Sequence, residues 1–432
     1  VASPQVLIIG GGFAGLYAAR ALADAPVQLT VIDRQNHHLF QPMLYQVATA
    51  GLSASDIASP IRSILSDQRN TEVLLGEVTG IHVEERKVIT ADGSMFNYDY
   101  LLLATGARHS YFGHDEWEAL APGLKSLEDA EEIRRRVLIS FERAERERDP
   151  VRRHALLTFV VVGGGPTGVE VAGALAEIRR YALRRDFRHI DPREATVMLL
   201  EGGQRILPSY PQPLSARAKG ELRRLGVEVR EETLVTDIRP GYVVAGGWTI
   251  PTRTVVWAAG NVASPLTRSL GVPLDRAGRV LVEPDCTIPG HPEVFVLGDA
   301  AAFRDERFGT LPGVSPVAIQ MGQYVARMIR GDLAKRPRPP FHYWDKGQLA
   351  VIGRGHAVAD IWKLRFGGFL AWLIWIFVHV FFLIGFRNRV IVMLEWAWAY
   401  FTYQRGARLI TWPWRGGPRP LAGETGEHPL PS

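Results

Sequence analysis

A chain of 432 residues is long enough for two or three domains, each closing its own hydrophobic core. The formal charge of +5 is modest, and no run of Lys and Arg is interleaved with aromatics, so nucleic acid is excluded as a partner. A single cysteine, Cys286, excludes an intramolecular disulfide, a CxxC redox pair and a cysteine-rich metal site, and no metal is expected.

The chain enters an apolar strand within its first residues, 5–10, without the basic segment, apolar core and cleavage pattern of a signal peptide, so both nucleotide sites are expected in the cytoplasm. A tight glycine turn follows, then a helix over 15–24 and a second strand over 27–33. Strand, turn, helix, strand in minimum length is the opening of a doubly wound fold. Residues 34–70 form a loop-and-helix excursion, 71–90 alternate as an antiparallel hairpin, and 98–105 is a buried strand ending in ATGA. The charged stretch 131–153 is helical in composition and reads as a solvated connector.

A second glycine unit starts at Phe159, with a helix over 167–183 and a strand over 196–200. Residues 254–258 close that unit before AAG, and 294–297 return the chain to GDA at Gly298. This order implies one nucleotide domain inserted in another. A basic, proline-rich connector, 331–340, leads to a strand pair over 348–358. Seven of the eleven tryptophans lie after residue 361, so the tail is a different environment from the body. From Gly416 onward Gly and Pro predominate and a loose end is expected.

In the first turn, VLIIGGGFAGLYAAR, Gly10 permits the bend, Gly12 admits a pyrophosphate to the backbone and Gly15 lets helix and strand pack closely. The helix N-terminus, with Phe13 and Ala14, then presents free N–H groups to an anion. Asp33 ends the second strand, where a carboxylate can hold an adenosine ribose, and Arg34 follows it. In TFVVVGGGPTGVEVAGALAE the same places are taken by Gly163, Gly165 and Gly168, with Pro166 and Thr167 opening the helix. Glu201 closes the partner strand; it can accept two ribose hydroxyls and would repel a 2′-phosphate, so NADH is expected over NADPH, with Arg205 nearby to soften the preference. Glu170, early in the second helix, either benefits from the helix N-terminus or borders the reacting ring.

With these units in place the chain resembles the two-dinucleotide-domain flavoproteins, and more closely the type II NADH:quinone oxidoreductases. The most specific stretch is DRQNHHLFQPMLYQVATAGLSASDIASPIR, 33–62. GGGPTGVEVAGALAE, VWAAG, HPEVFVLGDAA and LPGVSPVAIQMG follow in the family's order. The resemblance implies an α/β fold of two Rossmann-like dinucleotide-binding domains in the glutathione-reductase-like FAD/NAD(P) arrangement, plus a C-terminal membrane-anchoring helical segment. The expected division is 1–115 and 263–330 for FAD, 150–262 for NADH, 341–410 for C-terminal strands and anchoring helices, and 411–432 for the loose tail.

It further implies FAD held by Gly10, Gly12, Phe13, Ala14, Gly15, Asp33, Arg34, Gln46, Thr49, Val78, Thr105, Gly106, Asp299 and Ala318. NADH falls to Gly163, Gly165, Pro166, Thr167, Gly168, Glu201, Ala259 and Gly260. The family's quinone motif, AQxxxQ, reads here from Ser315 to Gln320, so Pro316, Ile319 and Gln320 are the quinone-side residues, and proline offers no side-chain donor where a glutamine is usual. Gln320 has a plainer reading as a residue bonded to flavin or backbone. Hydride passes from nicotinamide C4 to flavin N5, two electrons pass to a quinone (ubiquinone or menaquinone), no protons are pumped, and Glu170 relays a proton if burial raises its pKa. Glu170 and Gln320 are the catalytic candidates. The lone cysteine argues against a sulfide:quinone or dithiol reductase.

Residues 368–385 are eighteen positions whose one ionisable member is His379, a transmembrane candidate by length, and 390–403 is a second apolar, aromatic segment. Basic flanks and scattered aromatics favour helices lying in the membrane plane. The implied protein is a homodimer, peripheral on the cytoplasmic side of the inner membrane and in contact with the bilayer surface. Two alternatives stay open: an NADH-binding membrane flavoprotein with a sensing role, and an NAD(P)H-dependent reductase of a protein acceptor such as ferredoxin.

Overall fold

The structure, a computed structural model, describes residues 3–183, 186–362, 364–384, 386–402 and 407–411. Its contacts divide the chain into two compact units, each assembled from three stretches of sequence.

The first unit comprises residues 1–39, 58–108 and 261–346. Its centre is a six-stranded sheet in the order Thr287–Ile288, His291–Val296, Tyr100–Leu103, Gln5–Ile9, Gln28–Asp33, Thr71–Leu75, parallel except for the first pair. The central strand VLII is buried on both faces, as crossover connections require of a parallel sheet. Val6 pairs with Leu29 on one side and Tyr100 on the other. Helix Phe13–Ala21 follows the first strand and packs on helix Ser315–Leu333. The two come together through Gly322, where an added Cβ would fall 2.2 Å from the Ala14 carbonyl oxygen.

The alternating stretch 71–90 is not one hairpin. Thr71–Leu75 is the parallel edge strand of the main sheet, with Leu29 opposite Thr71, and Val78–His82 pairs with Lys87–Thr90 in a separate three-stranded sheet. Period-two alternation marks a half-covered strand but not its partner.

The second unit comprises residues 40–57, 109–260 and 347–432. Strands Val227–Arg230, Thr196–Leu200, Thr158–Val162 and Thr254–Trp257 form a parallel sheet in that order. Helix Pro166–Glu177 follows its strand Thr158–Val162. Helix Leu127–Arg146, expected as a solvated connector, opens on a Ser126/Asp129 capping box and buries Ile133, Val137, Phe141 and Ala144. Its charge hid an apolar stripe at helical spacing. After residue 347 comes an antiparallel sheet of three strands, Gln348–Gly353, His356–Ile361 and Leu364–Gly368, one more than the expected pair.

The tail corrects the expected membrane-anchoring segment. No helix among the described residues is long and apolar enough to cross a membrane. The first apolar stretch forms helix Phe369–Phe382, fourteen residues and therefore about 21 Å, against roughly 30 Å of bilayer hydrocarbon. It begins at Gly368 in a left-handed conformation (φ +94°) and stops at the extended Leu383; Gly385 lies outside the described residues. Ala371, Trp375 and Val380 are buried, and the helix packs on the C-terminal sheet. Trp375 stacks on His379 with centroids 4.1 Å apart and lies 5.6 Å from Trp396 and 6.3 Å from Tyr45. Trp375, within the stretch read as an anchor, is thus protein core, while Phe369, Phe377 and Phe381 stay exposed.

Candidate functional site

The two glycine turns repeat one geometry, each inside its own unit. In the first, the Gly10 N–H donates to the Ile32 carbonyl at 2.8 Å; in the second, Gly163 donates to Leu200 at 2.8 Å. Gly10 and Gly163 both have φ near +105°, which favours glycine, and a Cβ on either would strike the backbone at Ala104 or Ala258. A Cβ on Gly15 would fall 1.9 Å from the Gly10 carbonyl oxygen, and one on Gly168 1.8 Å from that of Gly163. Gly12 and Gly165 differ: a Cβ there meets nothing within 4 Å. Each is the N-cap of the following helix with no side chain capping it, so free N–H groups face open space.

The strand-ending acids occupy equivalent places too. Asp33 accepts from Gly11 N–H at 2.5 Å and Gln35 N–H at 2.8 Å. Glu201 accepts from Gly164 N–H and Gly203 N–H, both at 2.6 Å. One bond per oxygen leaves lone pairs for ribose hydroxyls. Arg205 is committed to the carbonyls of Tyr210 and Pro208, at 2.7 and 2.8 Å, which turns its guanidinium away from a 2′-phosphate role. Arg34 is exposed, and Pro166 and Thr167 lie exposed on the second helix's first turn.

Around the first turn gather Ala14, Gly298 and Ala318: a Cβ on Gly298 would lie 3.2 Å from the Ala318 Cβ and 3.7 Å from that of Ala14. Asp299 sits in the short helical turn Gly298–Ala300 that ends strand His291–Val296. The Thr105 hydroxyl is buried with no hydrogen-bond partner, and Gly106 beside it has open space and φ +64°. Val78 packs at the edge of the first unit's core. Pro316 and Gln320 stand one turn apart on helix Ser315–Leu333, half-buried, while Ala318 and Ile319 face inward.

Gln46 and Thr49 belong to the second unit. Gln46 donates to the Tyr45 hydroxyl at 3.0 Å and accepts from the Trp396 indole at 2.7 Å; Thr49 donates to the Tyr45 carbonyl at 2.8 Å. Ala259 and Gly260 lie just past the strand Thr254–Trp257, and the Gly260 carbonyl (φ +74°) accepts from Ser110 N–H at 3.3 Å. Glu170 lies one residue past the first turn of helix Pro166–Glu177, so the helix N-terminus does not account for it. Part of the residue stays open, but protein surrounds its carboxyl and desolvation pushes the pKa up to about 8; the Val351 N–H pulls the other way.

Two residues escaped the sequence reading. Gly11 lies against Ile61, whose Cδ1 would be 2.4 Å from an added Cβ and would have to turn aside. His38 is 2% exposed and lies 3.0 Å from the Gly11 carbonyl through Nδ1, edge-on to Phe13. A carbonyl only accepts, so Nδ1 carries the proton, and burial drives the ring's pKa down to about 4. The HH pair within the 33–62 stretch was the available signal. Among the described residues no cluster could hold a metal ion.

Two open glycine turns, each beside a strand-ending acid, define a two-nucleotide flavoprotein. The pyridine nucleotide-disulphide oxidoreductase family matches residues 4–322 and the NDH2 C-terminal domain residues 345–403. The chain is 46% identical to the type II NADH:quinone oxidoreductase Ndh of Mycobacterium tuberculosis, over 94% of this chain and 90% of that one. It is 43% identical to NdhA of the same organism, over 94% and 89%. The solved structure of NDH2 from Plasmodium falciparum in complex with NADH shares the fold, with a TM-score of 0.86 at 19% identity, covering 93% of this chain and 99% of that one. The chain therefore belongs to the pyridine nucleotide-disulphide oxidoreductases and, among them, to the type II NADH:quinone oxidoreductases.

FAD and NADH are the cofactors of this family. The residues fit them: the space over Gly12, the orphaned Thr105 hydroxyl and the Asp33 carboxylate suit one dinucleotide, and the space over Gly165 with Glu201 suits the other.

Proposed function

We propose that this chain takes hydride from NADH and delivers two electrons to a quinone without pumping protons. The observation that carries the reading is the pair of equivalent open turns, one in each unit, in a chain with this family membership. In it the first unit binds FAD through Gly10, Gly12, Phe13, Ala14, Gly15, Asp33, Arg34, Val78, Thr105, Gly106, Asp299 and Ala318. NADH lies on Gly163, Gly165, Pro166, Thr167, Gly168, Glu201, Ala259 and Gly260. FAD, when bound, supplies the hydride acceptor and two-electron carrier.

The protein's own work is placement. Free N–H groups at two helix starts fix the pyrophosphates, and the acids read the riboses. Glu170, with its raised pKa, holds a proton at neutral pH and is the candidate proton relay of the reaction. Pro316, Ile319 and Gln320 form the quinone side, with Gln320 the polar contact. The finer reading is a homodimer peripheral to the cytoplasmic side of the inner membrane, drawing ubiquinone or menaquinone from the bilayer surface. The net charge of +5 favours an anionic leaflet.

Anaerobic stopped-flow absorbance of the flavin tests the reading. NADH should bleach the flavin quickly, and a short-chain quinone should restore it quickly. Bleaching without recovery would retain the NADH site and reject the quinone, leaving a sensing role or a protein acceptor.

A further inference from the structure

Gln320 does not present a freely turning side chain. Its Nε2 donates to the Trp344 carbonyl at 3.0 Å, and its Oε1 accepts from the Trp344 N–H at 3.0 Å. An amide docked on both backbone groups of one residue, as a neighbouring strand would be, has its rotamer and its oxygen–nitrogen assignment fixed. The second Nε2 hydrogen makes no further bond among the described residues. The Cα that lies between those two backbone groups carries an indole that is 60% exposed. The Lys346 ammonium lies 5.5 Å from the ring centroid. Both residues belong to the first unit, as does Pro316, which lacks a side-chain donor.

A held amide with an N–H to spare, bonded to the backbone of a residue that carries an exposed indole, suits a flat ring bearing a carbonyl. We infer that Trp344 is a quinone-binding residue: its indole contacts the quinone ring while the spare N–H of Gln320 donates to a quinone carbonyl. The assignment rests on the quinone reading above and adds to it the surface that recognises the ring. The Gln320 bonds use only the backbone of residue 344, so changing that side chain leaves the amide held and isolates the contribution of the indole.

The test compares the full-length, FAD-loaded chain with W344A and W344F, using a short-chain quinone as the probe. Bleaching of the flavin by NADH, before quinone is added, reports that each variant is folded and loaded. An aromatic contact of ordinary strength predicts a roughly three- to tenfold rise in the quinone KM of W344A. W344F should recover most of it, and the KM for NADH should not move. An unchanged quinone KM in W344A overturns the inference while leaving the quinone reading intact. Failure of the wild-type flavin to reoxidise with quinone overturns both.

Discussion

Glu170 sets its charge against its surroundings. Its carboxyl ionises near pH 8 in the folded chain against 4.5 ordinarily, because burial penalises the charged form. Between those values the folded state holds a proton that the unfolded state has released, so this group's contribution is fully present below about 4.5 and is lost as pH rises through about 8. Quinone reduction should decline above pH 8 as the proton donor disappears, whereas reduction of ferricyanide, which takes up no proton, should not. Glu170→Gln should abolish that alkaline limb and gain melting temperature relative to wild type as pH rises across the window; a limb that persists in the variant rejects the assignment.

The glycines give a sharper pair of outcomes. Gly12 and Gly15 share one motif, but only Gly12 has space for a methyl group. Gly12→Ala should therefore fold and lose FAD, with the flavin content of purified protein as the readout. Gly15→Ala must displace the Gly10 carbonyl and should fail to accumulate as folded protein. Residue chemistry of this kind was legible in the spacing of the motif. The role of Gly11 and the hidden contact of His38 were not, because each depends on a neighbour, Ile61 or Gly11, that spacing does not identify.

At the scale of elements, the closest packing in the second unit joins helix Pro166–Glu177 to strand Gln348–Gly353. A Cβ on Gly173 would fall 1.7 Å from the Ile352 carbonyl oxygen, Glu177 accepts from Arg354 N–H at 2.5 Å, and Glu170 faces Val351. Three positions along one helix face thus meet one strand at the edge of its sheet, where unpaired backbone groups need partners. Gly173→Ala should force the two apart and cost about 1–3 kcal/mol in urea unfolding, far more than an exposed helical glycine. An unchanged midpoint would mean that the strand yields freely.

The nucleotide helices and strands could be read from sequence because period and motif agree there. The tail misled for a physical reason: Trp375, Trp396 and their neighbours satisfy a hydropathy criterion equally well as lipid-facing or as core residues. Length excluded a span, and length became visible only where Gly368 and Leu383 end the helix.

At the scale of the whole molecule, the order of motifs revealed two nucleotide units, but nothing in residues 40–57 marks them as belonging with the second. The chain passes from one unit to the other five times. Strand Tyr100–Leu103 pairs on one side with Gln5–Ile9 and on the other with His291–Val296, so the first unit's sheet is closed by segments far apart in sequence.

That interleaving has a consequence for the chain during its synthesis. The ribosome makes Asp299 about 290 residues after Gly10, an interval on the order of 15–60 s at ordinary elongation rates. For nearly all of it the first apolar strands exist without the last members of their sheet, Thr287–Ile288 and His291–Val296. On the FAD site proposed above, flavin loading is a late event, and a message truncated before residue 299 yields a chain that carries the first glycine turn without the Asp299 side of that site.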